Sequence, residues 1–120
     1  MIKFGSIMIG SMHPEALGKF YEKVFGRPAD WSDDGWYGWQ SGDFGLMIGA
    51  HSEVQDRTRE PQRVIFNFEA ANVKEEYERI KALGVPVAKE LYEMEGSWIA
   101  TFSDSDGNYF QVTSPWKSGG

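Results

Sequence analysis

The sequence predicts an α+β domain made of two βαβββ modules in one chain. Three observations carry this prediction: two amphipathic helical segments share one design, each follows a short apolar run, and each precedes strand-like segments. The first helix begins at His13-Pro14-Glu15, and Leu17, Phe20, Tyr21, Val24 and Phe25 form one apolar stripe at helical spacing. Pro14 suits a first turn, Ser11 or His13 can cap it, and Glu15 sits four residues before Lys19. Gly26-Arg27-Pro28 ends it, because glycine supplies a left-handed C-terminal position and proline cannot continue a helix.

The second helix repeats that design. Asn72 is an N-cap, Glu75 follows three residues later as in a capping box, and Glu75 is expected to pair with Arg79. Val73, Tyr77, Ile80 and Leu83 supply the stripe, and Gly84-Val85-Pro86 the stop. Tyr21-Glu-Lys-Val and Tyr77-Glu-Arg-Ile match in residue type half a chain apart, so the chain reads as an internal repeat.

The remaining periodic segments are strands. Ile7–Ile9 precedes the first helix and Val64–Phe68 the second. Gly35–Gln40 and Phe44–Ile48 follow the first helix, joined by a turn at Ser41-Gly42-Asp43. Val85–Ala88, Trp98–Phe102 and Tyr109–Thr113 follow the second, the last two joined through Ser103–Asn108. Module one spans about residues 1–57 and module two about 61–116, with the polar stretch Ser52–Gln62 between them and 117–120 as a disordered tail. One helix covers only one face of a sheet, so two such units, within a chain or across a dimer, are expected to enclose a cleft.

Composition narrows the function classes. With 120 residues, 41 % hydrophobic and 25 % charged, the chain fits one globular domain. A net charge of −6 argues against a nucleic-acid partner, since phosphate binding needs clustered Lys and Arg. No apolar run is long enough to span a membrane, and cytoplasmic is the default location. The absence of cysteine excludes thiol nucleophiles, disulfides and Cys-ligated zinc. Neither a P-loop, a G-x-G-x-x-G nor a G-x-S-x-G elbow occurs. Aromatic residues make up 15 % of the chain, more than the core of so small a domain requires.

Two motifs resemble a known family. Phe20-Tyr-Glu-Lys-Val-Phe-Gly26 is similar to the F-Y-x-x-V-L-G signature of the vicinal oxygen chelate superfamily, and Asp104-Ser-Asp-Gly-Asn-Tyr-Phe-Gln111 to its D-P-D-G-N-x-[FI]-[EQ] signature. Ser105 stands where the family usually has proline, which loosens a turn. The resemblance implies a glyoxalase-like fold with a curved sheet cleft. It also implies a divalent metal held by His, Glu or Gln on the first and last strands of each module. Carried over one position at a time, those sites fall on Ser6, on Leu46 or Ile48, on Val64 or Ile65, and on Gln111. Only Gln111 is a plausible ligand, and aliphatic side chains cannot coordinate a metal. His13 reads as a cap or surface residue, and His51 needs a three-residue slip, which reverses its strand face, to become a ligand.

Other clusters have plain explanations. Asp104–Asn108 lacks the glycine and glutamate positions of an EF-hand and reads as a hairpin turn. Asp30, Asp33 and Asp34, and Glu90, Glu93 and Glu95, read as solvated loops. The aromatic residues are harder to absorb. Trp31, Trp36, Tyr37 and Trp39 crowd one stretch, and Tyr92, Trp98, Phe102 and Trp116 follow in the second half. Alternation puts Trp36, Gly38 and Gln40 on one strand face and Tyr37 and Trp39 on the other, so at least one large ring is expected to line the cleft or a dimer contact. Asn67 and Arg63 share a face that could supply hydrogen bonds, while Val64, Phe66 and Phe68 on the other have the stronger claim to the core.

The expected function is a metal-free binding protein resembling the bleomycin-resistance branch, holding an aromatic or amphipathic metabolite or antibiotic as a homodimer. No cofactor and no catalytic residue is expected. Candidate ligand-binding residues are Ser6, Met8, Trp36, Trp39, Met47 and His51 in the first module, and Asn67, Trp98 and Gln111 in the second. The alternative is a metal-dependent glyoxalase-like lyase or dioxygenase with atypical ligands, using Gln111, His51 and a further carboxylate. A third possibility is a subunit whose aromatics serve protein association.

Overall fold

The computed structural model describes residues 1–115, and Trp116 and the tail 117–120 named above lie outside the described residues. The chain forms two compact units, Met1–Asp56 and the segment from Arg57 onward. The first contains β1 (Ser6–Ser11), α1 (Pro14–Phe25), β2 (Trp31–Asp33), β3 (Trp36–Ser41) and β4 (Phe44–Ala50). The second contains β5 (Ile65–Glu69), α2 (Val73–Ala82), β6 (Val87–Met94), β7 (Ser97–Ser103) and β8 (Tyr109–Thr113). Each unit is a four-stranded sheet carrying one helix, with strand order β1-β4-β3-β2 in one and β5-β8-β7-β6 in the other. The repeated sequence pattern is thus a repeated βαβββ topology. Each sheet has a parallel pair at one end, β1 with β4 and β5 with β8, because the helix crosses over between them.

In the first unit α1 presents Leu17, Tyr21 and Val24, all buried, to Ile9, Leu46, Ile48 and Trp39 of the sheet. Tyr21 stacks on Phe25 with ring centroids 5.5 Å apart, and Phe25 meets Trp39 edge-on at 5.3 Å. Gly18 lets Tyr37 lie against the helix, since a Cβ there would sit 2.7 Å from the Tyr37 ring. The helix ends at Gly26 in the left-handed conformation, its N–H bonded to the Glu22 carbonyl. The predicted Glu15–Lys19 pair is present at 3.3 Å. His13 makes no side-chain cap; its own N–H instead donates to Ser11 Oγ at 2.9 Å.

The second unit buries Val73, Tyr77 and Ile80 of α2 against Phe66, Ala100, Phe102, Phe110 and Val112. Phe102 stacks on Phe110 at 5.4 Å. Asn72 caps α2 by accepting from the Glu75 N–H at 3.1 Å, and its amide donates back to the Glu75 carboxylate at 3.2 Å. That engagement overturns the expected Glu75–Arg79 pair: Arg79 bonds Glu76 at 2.8 Å instead.

Two strands differ from expectation. β2 was not foreseen, because Trp31-Ser32-Asp33 is short and exposed; its signal was Asp34-Gly35, both at positive φ, the two-residue turn that matches strand twist. β6 runs to Met94 and turns through Glu95-Gly96 in the same way, so Glu90 and Glu93 lie on a strand rather than in a loop. Two register shifts against β7 break the alternation along this edge strand, which hides the period-two signal.

The Asp104–Asn108 segment is the hairpin that its residues predict. Asp104, 3 % exposed, accepts from the Asp106 N–H, the Asn108 N–H and the Asn108 amide at 2.9–3.0 Å. The same loop anchors the start of the unit: Arg57 donates to the Ser105 carbonyl at 3.1 Å, and Thr58 bonds both the Asp106 carbonyl and the Asn108 side chain.

Candidate ligand-binding faces

Register decides which side chains share the sheet face away from the helix. In the first unit Ser6 lies opposite Gly45, Met8 opposite Met47, and Gly10 opposite Gly49, while Met47 is also opposite Gly38. Trp36, Gly38 and Gln40 join this face, and Tyr37 and Trp39 the other, as alternation predicts. Glycine is frequent here for a steric reason. A Cβ on Gly38 would fall well inside 3.0 Å of the Trp31 indole, and a Cβ on Gly49 equally close to the Trp36 indole. Both rings therefore lie across bare backbone on either side of Met47. Gly10 is covered likewise by His51 and Val54, and Gly45 by Gln40.

This face gathers Ser6, Met8, Trp36, Met47 and His51 of the predicted set, and adds Trp31 from the crowded aromatic stretch. Trp31 is 45 % exposed, Met8 is exposed, and Trp36 and Met47 are half-buried. The His51 imidazole is exposed and its Nδ1 accepts from the Glu53 N–H at 3.1 Å. Trp39 does not join them. It is 4 % exposed on the α1 side, with its indole N–H 3.5 Å from the Arg27 carbonyl, so it belongs to the core.

At the sheet edge, Asp30 accepts from the Gln40 N–H at 2.6 Å and from Arg27 at 2.5 Å. The backbone donor of Gln40 is the main cause that holds its carboxyl below the ordinary carboxylate range; desolvation opposes it and the Arg27 guanidinium adds to it. Asp30, Asp33 and Asp34 are all exposed, as expected, but Asp30 tethers β3 and Asp33 lies on β2 rather than in a loop.

In the second unit the face away from α2 carries Asn67 opposite Gln111 and Gln111 opposite Thr101. Gln111 Nε2 donates to Thr101 Oγ1 at 3.3 Å. Asn67 is exposed, whereas Phe66 and Phe68 turn toward α2, Phe68 meeting Phe110 at 5.7 Å. Arg63 precedes the strand and pairs with Glu60 at 3.6 Å, so it does not share the Asn67 row. Trp98 also departs from expectation: it alternates with Ala100 and Phe102 on the α2 side, where the Lys74 ammonium sits 4.1 Å above its ring.

The strand positions implied for a metal can now be assigned. Leu46 and Ile48 point into the α1 core, so the side chains level with Ser6 and Met8 on the last strand are Gly45 and Met47. Val64 precedes β5, and Ile65 is its first residue, opposite Tyr109. The donors at these positions are one hydroxyl, Ser6, and one amide, Gln111, which do not fit the His, Glu and Gln set of a divalent metal centre. Among the described residues no three His, Asp or Glu groups converge as a metal site. A shallow depression at the end of α1, lined by Lys19, Glu22, Lys23, Gly26, Arg27 and Pro28, holds none of the predicted site residues. No helix among the described residues is long and apolar enough to cross a membrane.

Paired four-stranded βαβββ units with ligand-type positions on their helix-free faces define the fold of the vicinal oxygen chelate superfamily. The glyoxalase-like domain family matches residues 6–113, and the chain belongs to that family. Among solved structures it is similar to a glyoxalase/bleomycin resistance protein from Albidiferax ferrireducens T118, at 19 % identity over 94 % of this chain and 98 % of that one, with a TM-score of 0.76. A glyoxalase-related enzyme from Fulvimarina pelagi is 18 % identical over 100 % of this chain and 96 % of its own, with a TM-score of 0.77. A lactoylglutathione lyase from Agrobacterium tumefaciens is 20 % identical over 93 % and 92 %, with a TM-score of 0.72. The chain has no match among curated proteins. At these identities the likeness is one of fold, and the fold hosts several chemistries.

Proposed function

We propose that this protein binds a flat aromatic or amphipathic small molecule without a metal, as a homodimer. The observation that carries the proposal is the pair of indoles, Trp31 across Gly38 and Trp36 across Gly49, flanking Met47 on the face away from α1. Rings laid flat on glycine backbone offer π-faces at little conformational cost, and Met8 and Met47 supply adaptable apolar contact. The poor donor set at the strand positions that carry metal ligands in the superfamily supports the metal-free part. Exposed Ile7 on the edge strand β1, with exposed Met1, Ile2 and Phe4 in the segment before it, supports the homodimer.

The test is elemental analysis of the untagged protein before and after dialysis against a chelator, followed by a tryptophan-fluorescence screen of aromatic natural products. The expected outcome is a folded protein with no stoichiometric metal whose emission is quenched saturably by a subset of ligands. Near-stoichiometric zinc, nickel, manganese or iron overturns the proposal in favour of a lyase or dioxygenase using Gln111 and His51. Sedimentation as a monomer at all concentrations overturns the dimer.

A further inference from the structure

Two register shifts in β6 put side chains where plain alternation does not. From Val87 to Lys89 the partner β7 advances only from Phe102 to Thr101, and from Lys89 to Tyr92 only from Thr101 to Ile99. Each shift inserts one extra residue into β6, and one extra residue reverses the face of every side chain that follows. Val87 therefore stands with Phe102 on the α2 side, whereas Lys89, opposite Thr101, and Tyr92, opposite Ile99, stand on the other. The short β2 of the first unit pairs with β3 without such a shift.

The redirected lysine completes a polar rung. Asn67, Gln111, Thr101 and Lys89 are successive partners across all four strands of the sheet. Adjacent members are therefore roughly 4.8 Å apart. Thr101 is 5 % exposed and receives the Gln111 amide, which leaves its hydroxyl hydrogen as a donor. The Lys89 ammonium lies 4.3 Å from the Tyr92 ring centroid, and among the described residues it has no carboxylate partner. In a chain with 18 acidic against 12 basic side chains, an ammonium held over a ring rather than by a carboxylate remains available to a ligand.

We propose that this rung is, within the second unit by itself, an anion subsite that takes the carboxylate of a small organic acid. Lys89 supplies the charge, Thr101 and Gln111 supply neutral donors, and the Tyr92 ring positions the ammonium. The inference rests on the small-molecule reading above and adds the chemical class of the ligand.

Titration of the full-length protein with 2-naphthoate and with the isosteric neutral 2-naphthamide, followed by amide chemical shifts, tests it. The carboxylate is expected to bind more tightly by up to about fivefold, as one partly solvated charge contact allows. Lys89→Met should erase that preference and leave naphthamide affinity unchanged, and Lys89→Arg should retain it. Equal affinity of the two probes for the unmodified protein overturns the subsite while leaving the aromatic reading intact. So does a preference that survives Lys89→Met, including the case where that variant only self-associates, as an edge-strand lysine with a purely protective role would predict. Absence of any shift with either probe at its solubility limit overturns the aromatic reading and the subsite with it.

Discussion

Trp36 lies across Gly49, so closely that a β-carbon at position 49 would fall inside the indole ring's own contact shell. The two residues sit on different strands, and Gly49 is not at positive φ, so its backbone conformation does not require glycine. Its role is to make room.

Gly49→Ala should therefore displace the Trp36 ring rather than strain the backbone. A destabilisation of about 1–3 kcal/mol is expected, typical of an overpacked contact. Urea unfolding measures it, and a shift in tryptophan emission of the folded state reports the moved ring. Unchanged emission and stability would show that the indole does not rest on Gly49.

Trp39 and Trp31 are paired predictions with opposite emphasis. Trp39→Ala removes a buried ring from the contact with Phe25 and should cost about 3–5 kcal/mol. Trp31→Ala removes a ring that is nearly half exposed; it should cost much less stability but weaken any aromatic ligand held on that face. Equilibrium unfolding and ligand titration of both variants separate the two roles.

Asp104 gathers three N–H donors and organises the loop that Arg57 and Thr58 grip. Asp104→Ala leaves those donors without their acceptor and should destabilise the protein by about 2–4 kcal/mol. Hydrogen exchange should show loss of protection at the Asp106 and Asn108 amides before the helices are affected.

Asp30 makes an acid-limb prediction. Its folded carboxyl titrates below its ordinary value, chiefly because of the Gln40 N–H and then Arg27. A group depressed on folding contributes stability above its unfolded pKa, and that contribution is lost as pH falls through the folded pKa. Asp30→Asn should therefore flatten the acid side of the stability-versus-pH curve and lower stability at neutral pH, leaving the slope above neutrality unchanged. Parallel acid limbs for the two proteins would show that the tether does not matter to folding.

Much of this protein is determined by local sequence. The helix stripes, the Gly26 stop, the Asn72 cap and the Asp104 hairpin depend on residues within a few positions of one another, so they are readable without the fold. The two signatures and the repeat identify the superfamily, and alternation alone separates Trp36 from Trp39. Which of those two faces carries the helix was not readable, because both are aromatic; packing of Tyr21 and Phe25 drew Trp39 into the core. Trp98 went to the helix side for the same reason, under Lys74. The assignment of the last-strand metal position to Leu46 or Ile48 failed because aliphatic residues on β4 are claimed by α1, which leaves Gly45 and Met47 on the other face. Arg79 chose Glu76 because Asn72 had already engaged Glu75. Register shifts such as those that turn Lys89 and Tyr92 onto one face exist only in the pairing of β6 with β7. Tertiary structure alone decided them, since a strand's own residues do not specify how many of its partner's they will oppose.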